Sequence, residues 1–285
     1  MKPFPIPVVV AGDGSQPSEE DGQLSYIELP REMSTFSMPS LPDPERARDM
    51  LEAREAVRWL VAATAELNPG ESNRRVDAGV LDAANRQILN EVLCEGEVSV
   101  IVTGDGEVRA QESVFAGVWR VQEFAPGGAL RRDLIEVGPV PEITIAAARA
   151  ASRPEVQRRE VPADAFSAAP IIEEVAHRAA SRQPGDPAHV INLSLLPMSP
   201  ADGECLGKVL AAGPVRILSR GYGSCRITST VVRDTWWVQY VNGYGATMVD
   251  SIEITDVPEV ALAAPDDMAE SSRRLQEALE WLEQG

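Results

Sequence analysis

The side chains best suited to chemistry or binding lie between Ser219 and Asn242, where aromatic, guanidinium, amide and thiol groups follow one another closely. The turn at residues 221 to 223 reads Gly-Tyr-Gly, but the lysine and the following helix of a phosphate-binding loop are absent, so a hairpin turn explains it better. Aromatic and arginine side chains are typical anchors of protein–protein contacts. The stretch therefore contains the candidates for contact with a partner, Tyr222, Cys225, Arg226, Trp237, Gln239 and Tyr240.

The three thiols and two histidines show no metal-binding or catalytic spacing. Cys94, Cys205 and Cys225 are scattered, and His177 and His189 belong to no zinc, protease or triad pattern. The sequence therefore predicts no catalytic residue, no metal and no cofactor. For Cys225 two interpretations stay open, a small buried side chain or a reactive or metal-binding thiol.

An internal duplication organises the chain. Residues 89 to 143 align with residues 206 to 260 at a constant offset of 117, and about 20 of the roughly 55 pairs are identical. Trp119 aligns with Trp236, which predicts a core position in both copies. Trp237 aligns with Arg120, which indicates either packing between the halves or contact with a partner. Strand alternation places Trp237 and Gln239 on the face opposite to Trp236 and Tyr240.

The same pattern predicts the elements that position these residues. A helix from Asp43 to about Leu67 and another from about Asp82 to Cys94 precede four short β-branched segments, and a similar series follows in the second copy. We expect an α+β fold of two tandem homologous repeats, each with helices covering one face of a four-stranded antiparallel meander, related by pseudo-two-fold symmetry. The predicted divisions are an irregular acidic arm (1–43), a first repeat (44–146), a linker (147–169) and a second repeat with a C-terminal helix (170–285).

The arm supplies two further candidates for partner binding, Tyr26 and Phe36, which either pack on the body of the protein or contact another chain. The formal net charge of -18 repels phosphate backbones and anionic lipid heads. We therefore expect neither nucleic acid nor a membrane as a partner. Three unpaired cysteines and the lack of a long apolar run predict a cytoplasmic protein.

The second copy resembles a known family. Residues 213 to 242 and 250 to 275, which read GPVRILSRGYGSCRITSTVVRDTWWVQYVN and DSIEITDVPEVALAAPDDMAESSRRL, are similar to the C-terminal domain of the HupH/HoxQ/HyaF hydrogenase expression/formation proteins. Residues 14 to 36, GSQPSEEDGQLSYIELPREMSTF, are similar to the N-terminal arm of the same family.

The resemblance implies an accessory protein, without established catalysis, for maturation of a NiFe uptake hydrogenase. Its implied partners are the iron–sulfur small-subunit precursor, before export, and other maturation proteins. The precursor's export signal carries two arginines, so the hypothesis is that the acidic surface holds this basic segment while the arm and the Trp237 face contact the folded part. Two alternatives are a metal or iron–sulfur carrier that uses Cys225 with Cys94 or Cys205, and a small-molecule enzyme acting between the copies.

Overall fold

A computed structural model describes residues 41–68, 70–153, 155–156, 161–220 and 223–284. All of these residues belong to one compact unit, Ser37–Gly285. The candidates Tyr26, Phe36 and Tyr222 lie outside the described residues.

One antiparallel sheet of ten strands forms the centre of this unit, in the order β1-β5-β4-β3-β2-β7-β8-β9-β10-β6. Together with seven helices in the described part of the chain, it confirms the predicted α+β class. The strands are β1 Arg74–Asp77, β2 Val98–Thr103, β3 Glu107–Glu112, β4 Val118–Phe124, β5 Leu130–Val137, β6 His189–Asn192, β7 Ala212–Ser219, β8 Ser224–Thr230, β9 Thr235–Val241 and β10 Thr247–Ile254.

The two copies meet where β2 pairs with β7. Val100 lies opposite Ile217, its own equivalent at the offset of 117, and Val98 lies opposite Ser219 just as Val102 lies opposite Val215. The pairing of β2 with β7 is therefore symmetric about the Val100–Ile217 pair. The two edge strands, β1 and β6, pair with β5 and β10 and were not among the predicted strands.

Two buried tryptophans tie corresponding strands together. The indole N–H of Trp119 donates to the carbonyl oxygen of Gly138 at 3.0 Å, and that of Trp236 donates to Thr255 at 3.1 Å. Both rings are almost fully buried. The predicted core position is thus confirmed, and each buried indole N–H has the acceptor that it needs.

Helices cover both faces of the sheet, whereas one covered face was predicted. The helices are α1 Pro44–Ala47, α2 Leu51–Glu66, α3 Ala83–Leu93, α4 Glu142–Ala151, α5 Ala168–Ser181, α6 Pro200–Leu210 and α7 Pro265–Glu283. On the face that carries Ile101 and Trp237, here face A, one apolar core packs α2, α3 and α7 over the first half, and another packs α5 and α6 over the second. On the opposite face, face B, α4 and residues 259–261 cover the two tryptophans.

The predicted single helix from Asp43 to Leu67 is two helices. Asp43 caps α1, accepting a hydrogen bond from the backbone N–H of Glu45 at 2.9 Å. Met50 then leaves the helical region with ψ 64°, and α2 begins at Leu51. The side chain of Asn85 in α3 accepts the backbone N–H of Ala53 at 3.0 Å, so a tertiary contact caps the second start.

Two helices cross the predicted divisions of the chain. Helix α4 runs through the expected end of the first repeat at residue 146. Helix α7 follows the second copy in sequence, yet Leu275 and Leu282 are buried in the core of the first half against α2. Among the described residues, no helix is both long and apolar enough to span a lipid bilayer.

Candidate partner-binding surface

The centre of face A, between the two groups of helices, carries exposed arginines and aliphatic side chains. Strands β3, β2, β7 and β8 run side by side there, and their registers place Arg109, Ile101, Arg216 and Thr228 in one row across the sheet. Ile101 is 40% exposed, and both arginines are exposed as well. The next row places Ser99, Leu218 and Arg226 side by side. Large exposed apolar groups beside guanidinium groups are a typical composition for a binding surface.

This surface has corresponding residues from both copies. Arg226 is the equivalent of Arg109, and Leu218 is the equivalent of Ile101, both at the offset of 117. Arg109 has local partners, because it pairs with Glu107 and its guanidinium carbon lies 5.0 Å from the ring centroid of Phe124. Arg216 and Arg226 make no ion pair with any described residue, although the chain is strongly acidic. Both can therefore bind carboxylates of another molecule.

Trp237 and Gln239 lie at the edge of this surface. Gln239 is directly opposite Arg226 on the neighbouring strand. The indole N–H of Trp237 donates to a carboxylate oxygen of Asp250 at 2.5 Å, and its ring packs against the core of the second half. Of the two interpretations left open for Trp237, packing between the halves is not observed, because its ring packs within the second half, and contact with a partner stays a prediction. The side chain stays partly exposed beside Arg226.

The equivalent pair in the first copy shows what Trp237 replaces. Arg120 forms an ion pair with Asp133, whose side chain is only 3% exposed, and also donates to Asn90 in α3 at 2.8 Å. Asp133 and Asp250 are equivalent at the offset of 117. The aspartate acceptor is therefore the same in both copies, whereas its donor is Arg120 in the first copy and Trp237 in the second.

Cys225 and Tyr240 lie on face B, so the structure separates the predicted site. They are directly opposite each other on β8 and β9, and both belong to the core beneath α4. Burial raises the pKa of the Cys225 thiol to about 11, with the Tyr240 hydrogen bond opposing the shift and the charge of Glu253 adding to it. A thiol with this pKa is almost entirely protonated at neutral pH, which makes it a poor nucleophile.

The cysteines of the carrier hypothesis do not meet. Cys205 is buried in the core of the second half on face A, Cys225 lies on face B, and Cys94 ends α3 in the first half. Burial, with the nearby Glu91 and Glu95, raises the pKa of the Cys94 thiol. In the part of the chain that the structure describes, no three His, Cys, Asp or Glu residues are grouped closely enough to hold a metal ion.

The candidate residues taken from the sequence therefore fall into three groups. Arg226, Trp237 and Gln239 share face A, Cys225 and Tyr240 lie on face B, and the other three are outside the described residues. Sequence reasoning missed Ile101, Arg109, Arg216 and Leu218. The signal was available for Arg109, since it is the identical equivalent of Arg226, but the pairing of β2 with β7 was needed to place both on one surface.

Comparison with known proteins identifies the family. The profile described as "HupH hydrogenase expression protein, C-terminal conserved region" matches twice, at residues 50–159 and 165–282, so each half carries the region once. The chain is 45% identical to the hydrogenase expression/formation protein HoxQ of Cupriavidus necator over 99% of both chains. It is 40% identical to HupH of Rhodobacter capsulatus, over 97% of this chain and 98% of that protein.

The chain is also 33% identical to the hydrogenase-1 operon protein HyaF of Escherichia coli, over 95% of both chains. The resemblance seen in the second copy therefore extends through the first copy and along nearly the whole length. The chain belongs to the HupH/HoxQ/HyaF family of hydrogenase expression/formation proteins.

Proposed function

We propose that this protein is a non-catalytic accessory factor in the maturation of a NiFe uptake hydrogenase, and that it binds the iron–sulfur small-subunit precursor before export. Support for the role in maturation comes from relatives named hydrogenase expression/formation proteins, which match almost end to end. A cytoplasmic location, binding to other maturation proteins, and no binding to nucleic acid or membranes are parts of the same proposal. Binding is a sufficient mechanism for an assembly factor, because an accessory protein stabilises a precursor by contact alone.

The centre of face A is the proposed contact with the folded part of the precursor. The observation that carries this assignment is the presence of Arg216 and Arg226, exposed and without ion pairs among the described residues, beside Ile101 and Leu218. Arginine combined with apolar surface binds protein partners by desolvated packing and by carboxylate recognition together. Trp237 and Gln239 extend this surface towards the second half.

The proposal includes the organisation of the chain. We propose two repeats, 44–146 and 170–285, each built on a four-stranded meander and related by a pseudo-two-fold axis near the Val100–Ile217 pair. An arm at 1–43 precedes them, and a linker at 147–169, which includes the end of α4 and the start of α5, joins them. The symmetric register of β2 and β7 supports the axis. Such an arrangement gives a partner two similar half-sites within one chain.

The test is co-purification with a tagged hydrogenase small-subunit precursor, made with and without its signal peptide. The double variant Arg216→Glu, Arg226→Glu is expected to weaken capture about tenfold or more, because it reverses two charges at the centre of the surface. Arg178→Glu, an exposed site on α5, is the matched control and should leave capture unchanged. Equal capture by all variants would exclude face A, and no capture by the parent protein would exclude the proposed partner.

A further inference from the structure

On face B of the first half, Arg75, Glu136 and Glu142 form a cluster of ion pairs, here called the polar clamp. The Arg75 side chain on β1 contacts Glu136 on β5 at 3.0 Å and Glu142 at the start of α4 at 2.7 Å. Glu136 also accepts the backbone N–H of Glu142 at 2.7 Å and the side-chain amide of Asn73 at 2.6 Å. One guanidinium group thus joins two carboxylates, one of them almost fully buried, along the wall of a shallow cavity.

The second half keeps both carboxylates of this clamp and lacks its cation. Glu253 and Glu259 are the identical equivalents of Glu136 and Glu142 at the offset of 117. Val190 on β6 stands opposite Glu253 as Arg75 stands opposite Glu136, and it is 53% exposed. The backbone before the two helical turns is also the same, with φ and ψ of -57° and 130° at Pro141 and -58° and 135° at Pro258.

A second cation of the first half is replaced in the same way. Arg132, which pairs with Glu123 at 3.4 Å on the rim of the first cavity, has Val249 as its equivalent in the second half. Neither Glu253 nor Glu259 makes an ion pair with any described residue. The Glu253 carboxylate is partly buried without a compensating cation. This burial, together with the charge of Glu259, raises the pKa of Glu253.

We propose that Glu253 and Glu259 form a binding site for the arginine side chain of a partner polypeptide, which enters over Val190 and takes the place that Arg75 holds in the first half. The first half supplies the second, independent observation, because the equivalent carboxylates there bind a guanidinium group in this manner. Bidentate geometry favours arginine over lysine. The partner's identity rests on the function proposed above, whereas the chemistry of the site does not.

The decisive variant is Val190→Arg, which supplies the missing cation from within the chain. We expect it to raise the midpoint of thermal unfolding by about 2–4 °C, since a new ion pair partly compensates Glu253. We also expect it to weaken association with the small-subunit precursor about tenfold, because the site is already filled. Val190→Gln is the matched control, because glutamine is also a long polar side chain but carries no charge. It should change neither the midpoint of unfolding nor the association with the precursor. The double variant Glu253→Gln, Glu259→Gln removes both carboxylates and should weaken association with the precursor to a similar extent.

A probe that needs no hydrogenase separates the two proposals. N-acetyl-L-arginine amide should shift the carboxyl carbon resonance of Glu253 in the parent protein and not in Val190→Arg, whereas the uncharged N-acetyl-L-citrulline amide should shift neither. If the precursor does not bind but the arginine probe gives these shifts, the guanidinium site is supported and the proposed partner is wrong. If the parent protein binds the precursor and Val190→Arg and Val190→Gln bind it equally, or if the arginine probe causes no shift, the guanidinium site is refuted.

Discussion

Glu112 on β3 is a buried acid where the second copy has an uncharged residue. Its equivalent, Ser229, accepts the backbone N–H of Val215 at 3.0 Å through its hydroxyl group. The Glu112 carboxylate accepts the N–H of Gly117 at 3.1 Å instead. Burial raises its pKa to about 7, with the charges of Glu97 and Asp267 adding to the shift. The folded protein therefore holds this group protonated at pH values where the unfolded chain ionises it.

Because the folded pKa of Glu112 exceeds the unfolded value of 4.5, its contribution to stability is complete below pH 4.5 and is lost as the pH rises to about 7. We expect Glu112→Gln to increase the free energy of unfolding by about 2 kcal/mol more at pH 8.5 than at pH 5.5. Urea denaturation at both pH values, which avoid the pI near 4.6, measures this. Glu107→Gln on the same strand is the control, and an equal effect of Glu112→Gln at both pH values would contradict the prediction.

Trp237 and its equivalent in the first copy, Arg120, donate a hydrogen bond to equivalent aspartates from different side chains. The carboxylate at Asp250 or Asp133 is kept, while its donor is a guanidinium group in one copy and an indole N–H in the other. An indole N–H satisfies one acceptor and brings a large apolar ring. Trp237 therefore adds packing to the core of the second half and leaves part of the ring at the edge of face A.

At the scale of elements, α3 and α6 both end at a residue with positive φ. Cys94 has φ 46° and Ala211 has φ 38°, although neither is a glycine. The glycine that follows two residues later is required, because a Cβ at Gly96 would lie 2.2 Å from the carbonyl oxygen of Ser113. Close contact between the helix end and the next hairpin therefore holds a strained residue in each copy.

Replacing Ala211 by glycine should relieve this strain. Strain of about 1–3 kcal/mol exceeds the extra entropy of glycine in the unfolded chain, so we expect Ala211→Gly to stabilise the protein by about 1 kcal/mol. Thermal and urea denaturation would measure the change. Ala201→Gly, within α6, is the control and should destabilise the protein by about 0.5–1 kcal/mol. Loss of stability in both variants would show that residue 211 is not strained.

For the whole molecule, α7 makes the two copies dependent on each other. It follows the second copy in the chain, but Leu275, Ala278, Leu279 and Leu282 complete the core of the first half against α2. The indole N–H of Trp281 also donates to the carbonyl oxygen of Pro42 at 3.1 Å. The first half therefore lacks part of its core unless the end of the second copy is present.

Truncating Leu275, which follows the second copy in the chain, should therefore destabilise the first half. We expect Leu275→Ala to cost about 2–5 kcal/mol and to increase amide hydrogen exchange in α2 before α5. Leu206→Ala, a fully buried leucine in the core of the second half, is the matched variant and should increase exchange in α5 first. Faster exchange in α5 than in α2 for Leu275→Ala would disprove the coupling.

Local patterns were sufficient to predict much of the fold. The α+β class was predicted correctly, and Trp119 and Trp236 were correctly placed in the core. Period-two alternation and turn glycines depend on neighbouring residues alone, which is why they can be read from the chain. The same locality explains the failure at residues 48–50, where a side chain from α3 caps a helix start that no neighbouring residue marks.

The amino-acid sequence by itself determined the duplication, the family and the alternation of side chains along each strand, since all three depend on residue identity and spacing. Tertiary structure alone decided that β2 pairs with β7, which brings Arg109 and Arg226 onto one surface. It also decided that α7 crosses to the first half and that Val190 stands opposite Glu253. The physical reason is that strand order and helix docking depend on which apolar faces bury each other across long sequence separations, and no local pattern encodes that choice.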